Sequence, residues 1–400
     1  MIYSKLGKNV YTLALLNFIN GLGSFIFPFL SLFLIQKVGY SATKAGYFIM
    51  ICSVLYVPSS LLSSKLSDKH DRKKIMVTTQ LLFSVLIILS GAMIGNLELV
   101  PIIILVALIF DGATDPARSA LFQDCTTLEN RQVAFSLFYL SSNLGFGIGA
   151  TLAGFLFNNY TELLFYFTGI LGIVGALLVQ FLVENQQPTH QELEKSKEGN
   201  LTDKAVEGNI FKALKARPNL MFYIIIMCGF HFLAALFYFG LPLYTTALFN
   251  KTGASNYGIL MFVNAFVAVT LTPFITKLSK NIHPLLSIAL AAFLYAISYF
   301  LFGLNSIFIV LVFIMIGNTI GEVFYATNSN YYVANHTPMG HRARFNSIMS
   351  ILMGAGSAIG PYFSGVILDR WNFKTLFFIA GLGMLFIFID LLILRQKDKI

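Results

Sequence analysis

Apolar runs of about 20 residues recur along the whole of this 400-residue chain. A run of that length crosses a ~30 Å hydrocarbon core as a single helix. Inside a bilayer every backbone N–H and C=O must be bonded within the protein, which admits only helices and closed barrels. Long continuous runs, rather than the roughly ten-residue alternating segments of barrel strands, select helices. The charge content agrees, because 11% of the residues are charged against about 25% in soluble domains.

The hydropathy pattern gives twelve spans, near 8–36, 44–66, 73–95, 97–121, 131–157, 162–183, 219–249, 254–277, 284–303, 306–334, 342–369 and 373–394. One long polar stretch interrupts them. It makes 184–218 a linker between six spans in 1–183 and six in 219–400. The first run starts near Val10. It is too long for a signal-peptide core and lacks a small-residue cleavage site, so no cleavable signal is expected. The three cysteines, Cys52, Cys125 and Cys228, fit neither a disulfide framework nor a zinc pattern.

Lys and Arg crowd one side of the spans: the N-terminus, the loop around Lys65–Lys74, Arg131, the linker, Lys277, Lys280, Arg342, Arg344 and the C-terminus. The opposite side has only Lys37, Lys44, Lys251, Arg370 and Lys374. The positive-inside rule places both termini and the linker in the cytoplasm of a cell-membrane protein. The net charge of +9 is then a topology signal, and no nucleic-acid partner is expected.

The second half repeats the first. "RQVAFSLFYLSSNLGFGIGATLAG" from Arg131 aligns without gaps on "RARFNSIMSILMGAGSAIGPYFSG" from Arg342. Gly145 meets Gly356, Gly149 meets Gly360 and Gly154 meets Gly365. The same register carried backward pairs Asp111 with Glu322. Parallel six-span repeats suit a protein that alternates access to a central site.

Charges inside the spans are costly and usually functional. Starting near Leu97, span four carries Asp111 about 20 Å deep at 1.5 Å per residue. Asp115 and Arg118 follow at spacings of four and three, on the same face. Asp115 and Arg118 can neutralise each other, which leaves Asp111 without a local partner. A carboxyl withdrawn from water holds its proton to higher pH, so Asp111 is a candidate proton carrier. Glu322 lies mid-span with no Lys or Arg between Leu304 and His341, and Asn318, Tyr325 and Ser329 share its face. Asn17, Asn20, Ser24 and Ser31 line one face of span one, and His231, Tyr238 and Thr245 one face of span seven. His231 can change charge near neutral pH. Phe25, Phe29 and Phe237 are candidate contacts for an aromatic substrate.

"SKLSDKHDRKK" (Ser64–Lys74) resembles motif A of the major facilitator superfamily, with Leu66, Asp68, Arg72 and Lys73 matching and Ser64 and Asp71 at the family's glycine positions. "GFGIGATLAG" (Gly145–Gly154) resembles a degraded motif C, and "GSAIGPYFSG" (Gly356–Gly365) a fuller copy. The "GE-x-x-Y" at Gly321–Tyr325 is similar to the twelve-span drug:H⁺ antiporters. The resemblance implies an all-α integral membrane fold of two pseudo-symmetric six-helix bundles. It also implies proton-gradient-driven export of small amphipathic or cationic compounds, with no cofactor or metal, by a monomer. An acid at Glu322 would couple protons or recognise cations. A cytoplasmic gate would join Asp68 to Arg342 and Arg344, and Arg72 to Asp124. Rival readings are an uptake symporter or facilitator, a dedicated exporter of one metabolite, metallophore or lipid, and a membrane sensor or embedded enzyme. No zinc, nucleotide or nucleophile motif supports an enzyme.

Overall fold

The computed structural model describes residues 6–127, 130–184, 218–336 and 342–398. Its helices are α1 (Lys8–Leu22), α2 (Ile26–Gln36), α3 (Ala42–Lys69), α4 (Arg72–Ala92), α5 (Leu99–Asp124), α6 (Arg131–Leu156), α7 (Thr161–Leu182), α8 (Pro218–Phe249), α9 (Gly253–Ser279), α10 (Pro284–Leu304), α11 (Phe308–His336), α12 (Arg342–Arg370) and α13 (Phe373–Lys397). Among the described residues, eleven apolar helical stretches are long enough to cross a membrane. One of them, Pro218–Ser279, has 62 residues, about 90 Å of helix and far too long for one pass. The 3₁₀ turn Asn250–Thr252 divides it into α8 and α9. Twelve passes result among the described residues, as the hydropathy pattern requires.

The first pass departs from that pattern in one respect. It is not a continuous helix over 8–36 but breaks between α1 and α2 at Gly23 and Ser24. The freed backbone groups are satisfied locally. Ser24 N–H donates to Gly21 O at 3.0 Å and Phe25 N–H to Gly23 O at 2.8 Å. The Thr168 hydroxyl of α7 also donates to Gly23 O, at 2.7 Å. A break in hydrocarbon is tolerated where protein neighbours re-satisfy it in this way.

The chain divides into two compact units. Unit 1 is Met1–Ser41, Ile51–Pro188 and Leu241–Val269; unit 2 is Ala42–Met50, Thr189–Gly240 and Thr270–Ile400. In unit 1, α4 packs on α5 and α7, and α1 packs on α6 and α7. In unit 2, α10 packs on α11 and α13, the same neighbour pattern one repeat later. Lipid tails are as apolar as leucine, so helix association in a membrane depends on close packing and small residues. The glycines of the repeat serve that purpose. A methyl group at Gly145 would overlap the Phe18 carbonyl of α1, and one at Gly356 the Cys228 carbonyl of α8. Gly149 presses on the Gly21 carbonyl and Gly360 on the Phe232 carbonyl, residues separated by the same 211 positions as the glycines themselves. The repeat read from sequence is therefore also a repeat of contacts.

Phe25, Phe29 and Phe237 are core rings, at 4%, 0% and 0% exposure. Phe29 lies between Phe157 and Tyr257, at 5.7 and 5.1 Å. Phe237 stacks on Tyr299 at 4.4 Å. All three rings pack inside the protein.

Candidate functional site

Unit 1 contains a polar interior built on α5. Asp115 accepts from the Arg118 guanidinium through Oδ1 and from the Tyr56 hydroxyl of α3 through Oδ2. The spacing-based pair is present, with Tyr56 as an additional partner. The Asp115 side chain is 40% exposed and that of Arg118 27%, because both face open space within the unit. Three adjoining cavities share Arg118 as a wall. The first, of about 200 Å³, is lined by Asn20, Ser24, Gln80, Asp111, Asp115 and Thr168 among others. The second, of about 230 Å³, adds Asn17, Ser142 and Asn143. The third, of about 580 Å³, adds the aromatic wall of Phe122, Phe135, Phe138 and Tyr139. The break between α1 and α2 borders the first cavity, through Gly23, Ser24 and Ile26. A discontinuous helix beside a polar cavity is the arrangement that secondary transporters use for binding sites.

Asp111 lies within electrostatic range of Asp115 and Arg118 and accepts no hydrogen bond from any described residue. Around it the polar groups are fixed by neighbours. Gln80 Nε2 donates to Asn20 Oδ1 at 3.1 Å and to Gly172 O at 2.9 Å. Thr114 Oγ1 lies 2.9 Å from both Thr79 Oγ1 and Phe110 O and shares its single proton between that pair of contacts. Asn17, Asn20, Asp111 and Asp115 are thus brought to one interior.

The other predicted residues gather in unit 2. The stripe on α11 faces α8 and α10. His231 Nε2 and the Tyr325 hydroxyl are 2.8 Å apart, and Ser357 Oγ stands 3.5 Å from His231 Nδ1. Phe230 stacks on Tyr325 at 4.8 Å. Tyr223 and Ser329 hydroxyls are 2.8 Å apart. Glu322 and Tyr238 lie within electrostatic range of Tyr295 and Tyr299. Asn318, fully buried, approaches the Tyr299 hydroxyl without closing a hydrogen bond of normal geometry. Thr245, which belongs to unit 1, bonds Pro242 O within its own helix, at 3.0 Å.

At the helix ends Arg72 Nη1 donates to Asp124 Oδ1 at 2.7 Å, with the Asp124 side chain only 6% exposed. Arg72 Nε also reaches Ser67 O at 3.3 Å. The side chains of Asp68, Arg342 and Arg344 lie outside the described residues, as does nearly all of the 184–218 linker. Among the described residues no group of three His, Cys, Asp or Glu is placed to hold a metal ion.

Sequence reasoning missed Tyr56, Gln80, Ser142 and Asn143. Gln80 and Asn143 carried the same signal as Asn17, an amide within an apolar run. Tyr56 carried none, because a tyrosine in a span is as readily a packing ring.

Twelve apolar passes, a contact repeat and charged cavities inside a bundle define a multi-pass membrane transport protein. The description of the Major Facilitator Superfamily matches residues 13–321, and matches again over 254–399; the chain belongs to that family. It is 24% identical over 382 residues to the Na(+), Li(+), K(+)/H(+) antiporter of Planococcus maritimus, covering 89% of this chain and 88% of that protein. It is 23% identical over 395 residues to Multidrug resistance protein 2 of Bacillus subtilis (strain 168), covering 94% and 93%. Among solved structures it is similar to the nucleoside transporter NupG, with TM-score 0.79 at 12% identity over 98% of this chain and 100% of that one. That last likeness concerns the fold alone.

Proposed function

We propose that this secondary transporter is a proton-driven exporter of small amphipathic or cationic compounds. It works as a monomer in the plasma membrane with both termini in the cytoplasm. The observation that carries the reading is the Asp111–Asp115–Arg118 cluster lining adjoining polar cavities within a membrane-spanning unit. Two carboxylates against one guanidinium leave the site negative when all are ionised. A cation is attracted to it, and protonation of Asp111 lowers that attraction. Proton and cationic substrate then compete for one charge, and the state that each prefers is populated in turn. The aromatic wall of the largest cavity suits the apolar part of an amphipathic compound. Relatives named for multidrug resistance and for cation/proton antiport support the reading.

Alternating access in this proposal changes the relation between the six-span halves 1–183 and 219–400, joined by the linker 184–218. Glu322 would serve in the second half as Asp111 does in the first, with Asn318, His231 and Tyr325 around it. Arg72 with Asp124, and Asp68 with Arg342 and Arg344, would form the cytoplasmic gate. Everted membrane vesicles test the function. Vesicles holding the protein should take up a cationic dye when a proton gradient is imposed, and lose it on adding a protonophore. Uptake that is indifferent to the protonophore would refute proton coupling.

A further inference from the structure

The three cavities of unit 1 that share Arg118 differ in the charge of their walls. Asp111 borders only the first of them, and Asp115 borders the first and the third. The second, of about 230 Å³, has no acidic residue in its lining. Arg118 is joined there by the polar groups of Asn17, Asn20, Ser24, Ser142 and Asn143. An arginine side chain carries five N–H donors. Among the described residues that of Arg118 makes one hydrogen bond, from Nη2 to Asp115 Oδ1. Most of its fork is left for another acceptor. The neighbouring amide offers a further donor. Gln80 Nε2 donates to the Gly172 carbonyl and to Asn20 Oδ1, so the other end of the Asn20 amide is the N–H-bearing Nδ2. The hydroxyls of Ser24 and Ser142 can donate as well.

We infer that the second cavity seats an acidic group, so that the compounds carried are aromatic and amphoteric, with an amine on the Asp111 side and a carboxylate on Arg118. A guanidinium binds a carboxylate through paired N–H donors, a strong and directional contact. Asp111 and Arg118 are seven positions apart on α5, two turns or about 10 Å. A ligand whose two charges are separated by about that distance meets both walls at once. An amine alone leaves the remaining donors of Arg118 unused. The third cavity shares Arg118 and Ser142 with the second. Phe135 and Tyr139 line it with rings, which suit the aromatic body of such a compound. The inference deepens the proposed function by naming the substrate class, and it rests on that reading of the site.

Two fluorescent probes that differ only at the acidic group provide the test. Tetramethylrhodamine has a carboxylate, and its methyl ester is a cation without one. Binding of each to the purified full-length protein is read by anisotropy. The parent should bind the acid, and Arg118→Gln should lower the acid-to-ester affinity ratio at least tenfold. The double variant Asn17→Ala with Ser142→Ala should lower the ratio at least threefold. The inference is overturned if the parent does not bind the acid, or if Arg118→Gln leaves the ratio unchanged. Equal loss of both probes overturns it too, since that is what a purely structural Arg118–Asp115 pair would give. Should Arg118→Gln not elute as monodisperse protein, the double variant decides by the same ratio. Uptake into everted vesicles under an imposed proton gradient separates the two levels. Concentration of the ester but not the acid removes the acidic seat and leaves the exporter. An Arg118-dependent binding ratio with neither probe concentrated keeps the seat and refutes the exporter.

Discussion

The Tyr56 hydroxyl of α3 donates a hydrogen bond to Asp115 on α5. This contact fastens the charged face of α5 to its neighbour helix, while Arg118 holds the other carboxylate oxygen. Hydrogen bonds to charged groups contribute about 1.5–3 kcal/mol. Tyr56→Phe removes this one and keeps the ring. We expect a lower thermal midpoint and roughly tenfold weaker dye export, with membrane insertion unchanged. Normal export by Tyr56→Phe would show that the bond is incidental to the site.

The Arg72–Asp124 pair is more buried than surface pairs worth ~0–1 kcal/mol, with side-chain exposures of 18% and 6%. Removing one partner of a buried pair strands the other charge, at about 3–5 kcal/mol. Arg72→Ala and Asp124→Ala should each reduce transport and raise cysteine labelling from the cytoplasmic side. The exchanged pair, Arg72→Asp with Asp124→Arg, should recover part of both. Single variants with parental labelling and transport would remove this pair from the gate.

Cys125 follows directly on α5. Burial, with the Asp124 carboxylate adding to it, pushes its thiol up to about 11. The thiolate is the reactive form, and here it is scarce below that pH. In a protein with Cys52 and Cys228 replaced by serine, maleimide labelling should climb about tenfold per pH unit between 7 and 10. A rate that levels off near pH 8.5 would contradict the burial of this thiol.

Close helix packing predicts a contrast between two glycines of α12. A methyl group at Gly360 would run into Ala235 and the Phe232 carbonyl, whereas one at Gly354 meets nothing within 4 Å. Overpacking costs about 1–3 kcal/mol. Gly360→Ala should lower the thermal midpoint and the yield of monodisperse protein, and Gly354→Ala should change neither. Equal behaviour of the two would refute the packing argument.

The architecture was legible because the bilayer leaves few solutions. Span length, the 211-residue register and the i, i+4 spacing of Asp111 and Asp115 each follow from helix geometry, and the Asp115–Arg118 pair lies within one helix. The break at Gly23 was hidden, because its stability depends on Thr168, 145 residues away. Tyr56 was hidden for the same reason: its partner lies on another helix, and nothing local distinguishes it from a packing ring. Gln80 was visible as an amide in an apolar run, and only its partners on other helices were not.

The last prediction concerns Glu322, which the repeat register places opposite Asp111. It sits on α11 within electrostatic range of Tyr295 and Tyr299, one turn from the Tyr325 that meets His231. A carboxyl among phenols has hydrogen-bonding groups nearby in either protonation state, so replacing it by an amide should be tolerated by the fold. Glu322→Gln resembles the protonated acid and cannot release a proton. If Glu322 carries the coupled proton, the variant should fail to concentrate a monovalent cationic substrate in proteoliposomes under an imposed pH gradient. It should still let a neutral substrate equilibrate. Asp111→Asn in the same assay identifies the division of labour. Loss in only one variant assigns coupling to that acid, and loss in both assigns it to the pair. Uphill pumping by both variants at the parental rate would end the proton-antiport mechanism.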